Sequence, residues 1–199
     1  MEYKIEFLKG EKASLRPFHA DDLALLHVWL NDPEATYFMT YGQRPTTLEQ
    51  AGAFIERQLK DSASVVFVVC EKKSGQPIGL AGLYDIEDVP KRGEYRIFIG
   101  DKSYWSKGIG TEVAELLVWH AFDRLNLHRL FLGVNAENLG AVKSYQNAGF
   151  AIEGTLRDDM YRNGRFYDMI RMAILRPEYE KNLRAPYEKK FGILKSTGK

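Results

Sequence analysis

The chain has 199 residues, 45% hydrophobic and 28% charged, and its 28 lysines and arginines against 27 aspartates and glutamates leave a net charge of +1. That balance fits one globular domain with a sizeable core and provides no basic tract for nucleic acid; no apolar run reaches the ~18 residues of a membrane span. The single Cys70 excludes an internal disulfide, and His19, His27, His120 and His128 lack ligand spacing, so no metal site is expected.

Residues Lys12 to Phe18 alternate around Ala13, Leu15 and Pro17 and predict a first strand. A helix follows from about Ala20, with Leu23, Leu26 and Leu30 on one face, Trp29 beside them, and a stop at Asn31-Asp32-Pro33, where the proline disfavours the α conformation of Asp32. Between Glu34 and Pro45, Tyr37, Phe38, Met39 and Tyr41 are too irregular for a core strand and too apolar for an idle loop; they either pack or line an acceptor site. Thr46-Thr47-Leu48-Glu49 reads as a capping box, and Leu48, Ala51, Ile55 and Leu59 form the buried stripe of a second helix ending near Lys60.

From Ser64 the period changes. Ser64–Glu71 and Pro77–Ile86, joined through Ser74-Gly75, predict an antiparallel hairpin, with Cys70 a buried structural thiol. A turn at Asp88 to Gly93 leads into a strand from Glu94 to Gly100, and this runs into Trp105-Ser-Lys-Gly-Ile-Gly-Thr111. Gly108 and Gly110 allow a tight turn that brings backbone N–H groups to a helix start, a place for a phosphate. The dinucleotide motif would need a third glycine at Val113, and no Walker Gly-Lys-Ser/Thr is present.

The next helix carries Ala114, Leu117, Val118, Ala121, Phe122 and Leu125 at helical spacing. A strand from Arg129 to Val134 should lie parallel to the strand before that helix. Asn138 caps a helix bearing Ala141, Val142, Tyr145 and Ala148, closed by Gly149, and Ile152–Arg162 with Arg165–Leu175 makes a last hairpin through Asn163-Gly164. Residues 1–176 read as one domain and 177–199 as a charged, loosely docked tail.

In this order the elements resemble the GNAT family of acyl-CoA N-acyltransferases over nearly the whole chain. The 105–111 turn is similar to the family's pyrophosphate loop, with Trp105 where Gln or Arg is usual. Asn135-Ala-Glu-Asn138 through Tyr145 to Gly149-Phe150 resembles its asparagine-to-tyrosine segment. Glu153-Gly154-Thr-Leu-Arg157 and Tyr161-Arg-Asn-Gly164-Arg-Phe-Tyr-Asp168 resemble the branch holding ribosomal-protein alanine and spermidine N-acetyltransferases.

The resemblance implies an α+β fold, mostly antiparallel, with one parallel splayed strand pair and helices on both sheet faces. It implies an acetyl-CoA-dependent N-acetyltransferase in which an amine attacks the thioester directly. Ile97, Phe98 and Ile99 would pair with the pantetheine arm, and the backbone of Ser106, Lys107, Gly108, Ile109, Gly110 and Thr111 would hold the pyrophosphate. Lys107 and Lys143 are either phosphate contacts or solvated, and Asn138 is either a helix cap alone or a cap whose backbone also meets the cofactor. Tyr145 takes the family's general-acid position. Glu94 is either a base acting through water or a partner of Arg92 or Arg96.

Asp85, Glu87, Asp88 and Glu94 cluster at one connection, which would attract a cation. Tyr37, Tyr84 and Asp85 are the candidate acceptor contacts. A protein N-terminus, a polyamine or other small amine, and an amino sugar or aminoglycoside remain open as acceptors, beside a non-catalytic acyl-CoA-binding module. A cytoplasmic location and a homodimer are the further expectations, with neither nucleic acid nor membrane as partner.

Overall fold

The computed structural model describes residues 5–192. Two short strands, β1 (Leu8–Lys9) and β2 (Ala13–Arg16), begin the sheet, so the expected first strand is cut to its middle and gains a partner that its sequence did not announce. Helix α1 (Leu23–Leu30) follows a 3-10 turn at Ala20–Asp22, and α2 (Leu48–Lys60) starts at Thr47. Its capping box lies one residue later than expected: the Thr47 hydroxyl accepts from Gln50 N–H and the Gln50 side chain accepts from Thr47 N–H. Leu48 and Leu59 are half exposed and Ala51 and Ile55 are the buried residues of the helix, so the buried stripe is shorter than the spacing predicts.

Strands β3 (Val65–Glu71), β4 (Pro77–Glu87) and β5 (Arg92–Ile99) form an antiparallel meander. After a short turn at Lys102–Tyr104 come α3 (Ile109–Trp119), extended by a π turn at His120–Arg124, β6 (Arg129–Asn135) and α4 (Leu139–Asn147). The long strands β7 (Ala151–Arg162) and β8 (Arg165–Leu175) close the sheet, followed by a turn of helix, α5 (Arg176–Glu178), a π turn and α6 (Arg184–Phe191). Asn163 and Gly164, at φ 50° and 83°, make the two-residue turn that their sequence predicts.

Among the described residues eight strands run in the order β1-β2-β3-β4-β5-β6-β8-β7, with β5 and β6 the parallel pair. Alternation places the residues of β3 on two faces. Val66, Val68 and Cys70 pack with Leu26, Leu30, Ala51 and Ile55 of α1 and α2, while Phe67 and Val69 join the larger core under α3. Thus helices cover both faces, as the resemblance implied. The β5–β6 pairing spans only Arg92↔Arg129, Gly93↔Leu130 and Glu94↔Phe131, after which the two strands part.

The expected loose tail is corrected as far as Gly192; residues 193–199 lie outside the described ones. Tyr179 is fully buried and stacks on Phe122 at 4.6 Å, and the Tyr187 hydroxyl donates to Ala148 O at 2.8 Å. Both tyrosines belong to the core beneath α3. Among the described residues no helix is long and apolar enough to cross a membrane.

Candidate active site

The parting of β5 from β6 opens a cavity of about 870 Å³. One end is built from the glycine turn. Ser106 and Gly108 both have left-handed backbones, φ 58° and 76°, and Gly108 is the N-cap of α3. The first bond into the helix is Glu112 N–H to Gly108 O at 3.2 Å, so the amides of Ile109, Gly110 and Thr111 ahead of it are the unpaired donors of a helix start. Unpaired amides at a helix start are groups able to hold a phosphate, and Ser106, Gly108, Ile109, Gly110 and Thr111 all line the cavity.

Neighbouring elements fix this turn. The buried Glu112 accepts from Lys12 and Ala13 N–H at 2.8 and 2.9 Å, tying α3 to β2. The Thr111 and Ser144 hydroxyls share a hydrogen bond of 2.8 Å, tying it to α4. Trp105, the departure from the usual motif, donates its indole N–H to Ile99 O at 2.8 Å and so bridges the end of β5 to the turn. The Lys107 side chain lies over the ring of the wall residue Tyr104 at 4.8 Å without itself being one of the wall's residues, while Lys12 donates to its carbonyl. Lys143 and Asn138 do line the wall, and the Asn138 side chain caps α4 by accepting from Ala141 N–H at 3.2 Å.

Ile97, Phe98 and Ile99 border the cavity where β5 has lost its parallel neighbour, leaving a strand edge for an amide-bearing arm. Tyr145 of α4 comes to the same space, its ring edge-on to Tyr95 at 5.8 Å and to Phe150 at 6.2 Å. Burial pushes its phenol above the ordinary value, so the proton stays on at neutral pH.

Glu94 lies on the wall at the point of parting. Arg96 bonds its carboxylate through Nε at 2.8 Å and through Nη2, and Arg171 of β8 approaches its other oxygen at 3.7 Å. Of the two partners expected, Arg96 is the observed one; Arg92 pairs with Glu87 instead. Arg96 also binds Asp85 at 2.6 Å and lies over the Tyr84 ring at 4.8 Å. Tyr84 lines the cavity and burial raises its phenol to about 12. Asp85 bonds Arg96 but is not on that wall, and its backbone is left-handed at φ 49°.

The far end of the cavity holds Glu34, Phe38, Met39, Tyr41 and Phe54, so the aromatic loop borders the site. Tyr37 is the exception: it packs edge-on against Phe38 and faces the Tyr167 and Arg165 side, with its phenol lowered by a hydrogen bond with Tyr167. Opposite the loop, β7 is irregular between Leu156 and Met160, where the Asp158 N–H bonds Asp168 at 3.0 Å. This bulge puts Asp159 and Met160 on the wall. Arg171, Asp159 and Met160 were not legible beforehand; alternation along β8 would have suggested that Met169 and Arg171 share a face, but nothing identified it as the cavity's.

A family model described as an acetyltransferase (GNAT) domain matches residues 13–151. The chain is 31% identical over 171 residues to the spermidine N(1)-acetyltransferase of Escherichia coli (strain K12), covering 85% of this chain and 89% of that protein. It is 30% identical over 170 residues to the spermidine N(1)-acetyltransferase of Vibrio cholerae, covering 85% and 96%. The crystal structure of spermidine N-acetyltransferase from Vibrio cholerae in complex with CoA and spermine is similar with a TM-score of 0.78 at 27% identity, over 86% of this chain and 99% of that one. With a helix-start cradle, an open strand edge and a buried tyrosine around one cavity, the chain belongs to the GNAT family and is an acetyl-CoA-dependent N-acetyltransferase.

Proposed function

We propose that the acceptor is a polyamine of the spermidine and spermine class, acetylated on a primary amine. The observation that carries this reading is the likeness, over 85% of the chain, to a spermidine N(1)-acetyltransferase. The cavity supports it. Glu34, Glu94 and Asp159 supply carboxylates among Phe38, Tyr41, Phe54 and Tyr84, a mixture suited to ammonium groups separated by methylene segments. Donor and acceptor ends are continuous, so both reactants fit together without a covalent enzyme step.

Acetyl-CoA supplies the thioester. The amides from Ser106 to Thr111 hold its pyrophosphate, Lys107 contributing through the backbone, while Ile97, Phe98 and Ile99 offer the strand edge to its amides. Asn138 and Lys143 flank that path. Tyr145 gives its proton to the departing sulfur, and Glu94, with Arg96 and Arg171 fixing its orientation, receives the amine proton through water. Tyr84 forms the acceptor wall, Asp85 orients Arg96, and Tyr37 supports the loop from behind.

The test is thiol release from acetyl-CoA with spermidine, spermine, N-terminal peptides and aminoglycosides. Turnover of the polyamines is expected, with Tyr145→Phe lowering kcat by about 10²-fold or more. Turnover of peptides or aminoglycosides but not polyamines would overturn the acceptor, and an unchanged kcat in Tyr145→Phe would remove the acid. Tight CoA binding without release for any amine would mark a binding module.

A further inference from the structure

Arg162, at the end of β7, is 3% exposed, and among the described residues no carboxylate is one of its hydrogen-bond partners. Its Nη1 donates to Met39 O at 2.8 Å and to Tyr41 O, and its Nη2 to the Thr36 hydroxyl at 3.3 Å. All three acceptors belong to one short segment, more than a hundred residues away in sequence. That segment is also folded onto itself. Thr36 is fully buried and donates its hydroxyl to Asp32 O at 2.8 Å, and a Cβ at Gly42, φ +78°, would lie 2.1 Å from the Thr36 hydroxyl oxygen. Beside it the Gln43 amide donates to Tyr161 O at 3.3 Å.

We propose that Arg162 is a positioning residue for the acceptor: its buried guanidinium fastens the Thr36–Tyr41 segment to the β7–β8 hairpin and so sets the acceptor wall of the cavity. Burying a guanidinium without a counter-charge is unfavourable unless neutral acceptors compensate it; here two main-chain carbonyls and a hydroxyl serve Nη1 and Nη2, while the buried Nε has no partner among the described residues. The planar fork is what allows it to reach all three acceptors; an ammonium is a single point of donation. The segment holds no strand and no long helix of its own, so its fit against the hairpin depends on these bonds. Phe38, Met39, Thr40 and Tyr41 of this segment line the cavity, whereas no residue of the glycine turn or of the β5 edge is among the hydrogen-bond partners of Arg162.

The inference rests on the amine entering at the loop end of the cavity, as proposed above. It is tested with Arg162→Lys and Arg162→Gln in the full chain, by steady-state kinetics, CoA titration and amide hydrogen exchange. We expect the spermidine KM to rise about tenfold or more in Arg162→Gln, and less in Arg162→Lys, with the CoA dissociation constant within about twofold. Exchange should speed up at residues 36–43 and remain unchanged in β5 and α3. Equal changes for spermidine and CoA, or unaltered exchange at 36–43, would overturn the proposal. If the natural chain acetylates a different amine, the polyamine reading falls, and the same KM split is read with that amine; the exchange measurement holds in either case. CoA binding by both variants reports that they are folded.

Discussion

At the scale of single residues, neighbours decide what a side chain can do. The place of Tyr145 on the cavity wall was legible from its motif, and burial keeps its proton in place. Glu94 was legible as a position but not as an environment, since Arg96 is two residues along its own strand whereas Arg171 reaches it from β8. His120 drew attention only as a poor metal ligand. It is buried against Phe7, Phe67 and Trp119, its Nδ1 has no partner, and desolvation, with Arg124 adding repulsion, lowers its pKa to about 4. The ordinary value is about 6.5, so the unfolded chain binds the proton first as pH falls. Stability from the neutral ring is complete above about pH 6.5 and is lost toward pH 4, on the order of 2 kcal/mol between about pH 7 and 5. Thermal unfolding at both pH values, for the natural chain and His120→Phe, should show the variant losing less. Equal losses would show that His120 does not titrate with folding.

At the scale of elements, the strands and helices with strong period or turn chemistry were legible, and those fixed by distant contacts were not. The Asn163-Gly164 hairpin and the α3 stripe came from local signals. The one-residue shift at α2 could not, because Thr46 and Thr47 offer the same hydroxyl and Glu49 and Gln50 are both able to close the box. The bulge after Leu156 has no glycine to announce it. Within the glycine turn the two glycines differ. A Cβ on Gly108 meets a left-handed backbone and the Lys12 amine at 2.7 Å, whereas on Gly110 it meets only the Ser144 hydroxyl at 3.6 Å. Gly108→Ala should therefore lose about 1–2 kcal/mol of stability. Gly110→Asp should fold normally yet weaken CoA at least about tenfold, since it puts a negative charge beside the unpaired amides. Thermal unfolding and CoA titration separate the two effects; undiminished CoA affinity in Gly110→Asp would move the pyrophosphate site elsewhere.

At the scale of the whole molecule, the resemblance captured the single mixed sheet and the placement of helices, but charge along the tail concealed its packing. Tyr179 and Tyr187 lie in a stretch that, apart from them, Leu183 and Phe191, is mostly polar, and its ion pairs, Arg184 with Asp123 and Lys190 with Glu115, are visible only when α3 lies alongside. Tyr187 bonds the carbonyl of Ala148, and Leu183 packs on Gly149, so the tail braces the end of the helix that carries Tyr145. Urea unfolding should show Tyr187→Phe costing about 1 kcal/mol and Tyr187→Ala about 3 kcal/mol or more. A loss under about 1 kcal/mol for the alanine variant would restore the picture of a loosely attached tail.

The seam where β5 leaves β6 after three residue pairs is an edge placed in the middle of a sheet. Exposed edges ordinarily invite stray strands, and proteins blunt them with charge, proline or a cover. This one is sunk between two halves of the same sheet, with Trp105 holding the carbonyl of Ile99 at its lower end. An edge of this kind is met through main-chain-like groups, so a chain with amides spaced along it can pair there as an added strand would. The rhythm of a visitor's hydrogen-bonding groups then matters at this seam as much as its charge.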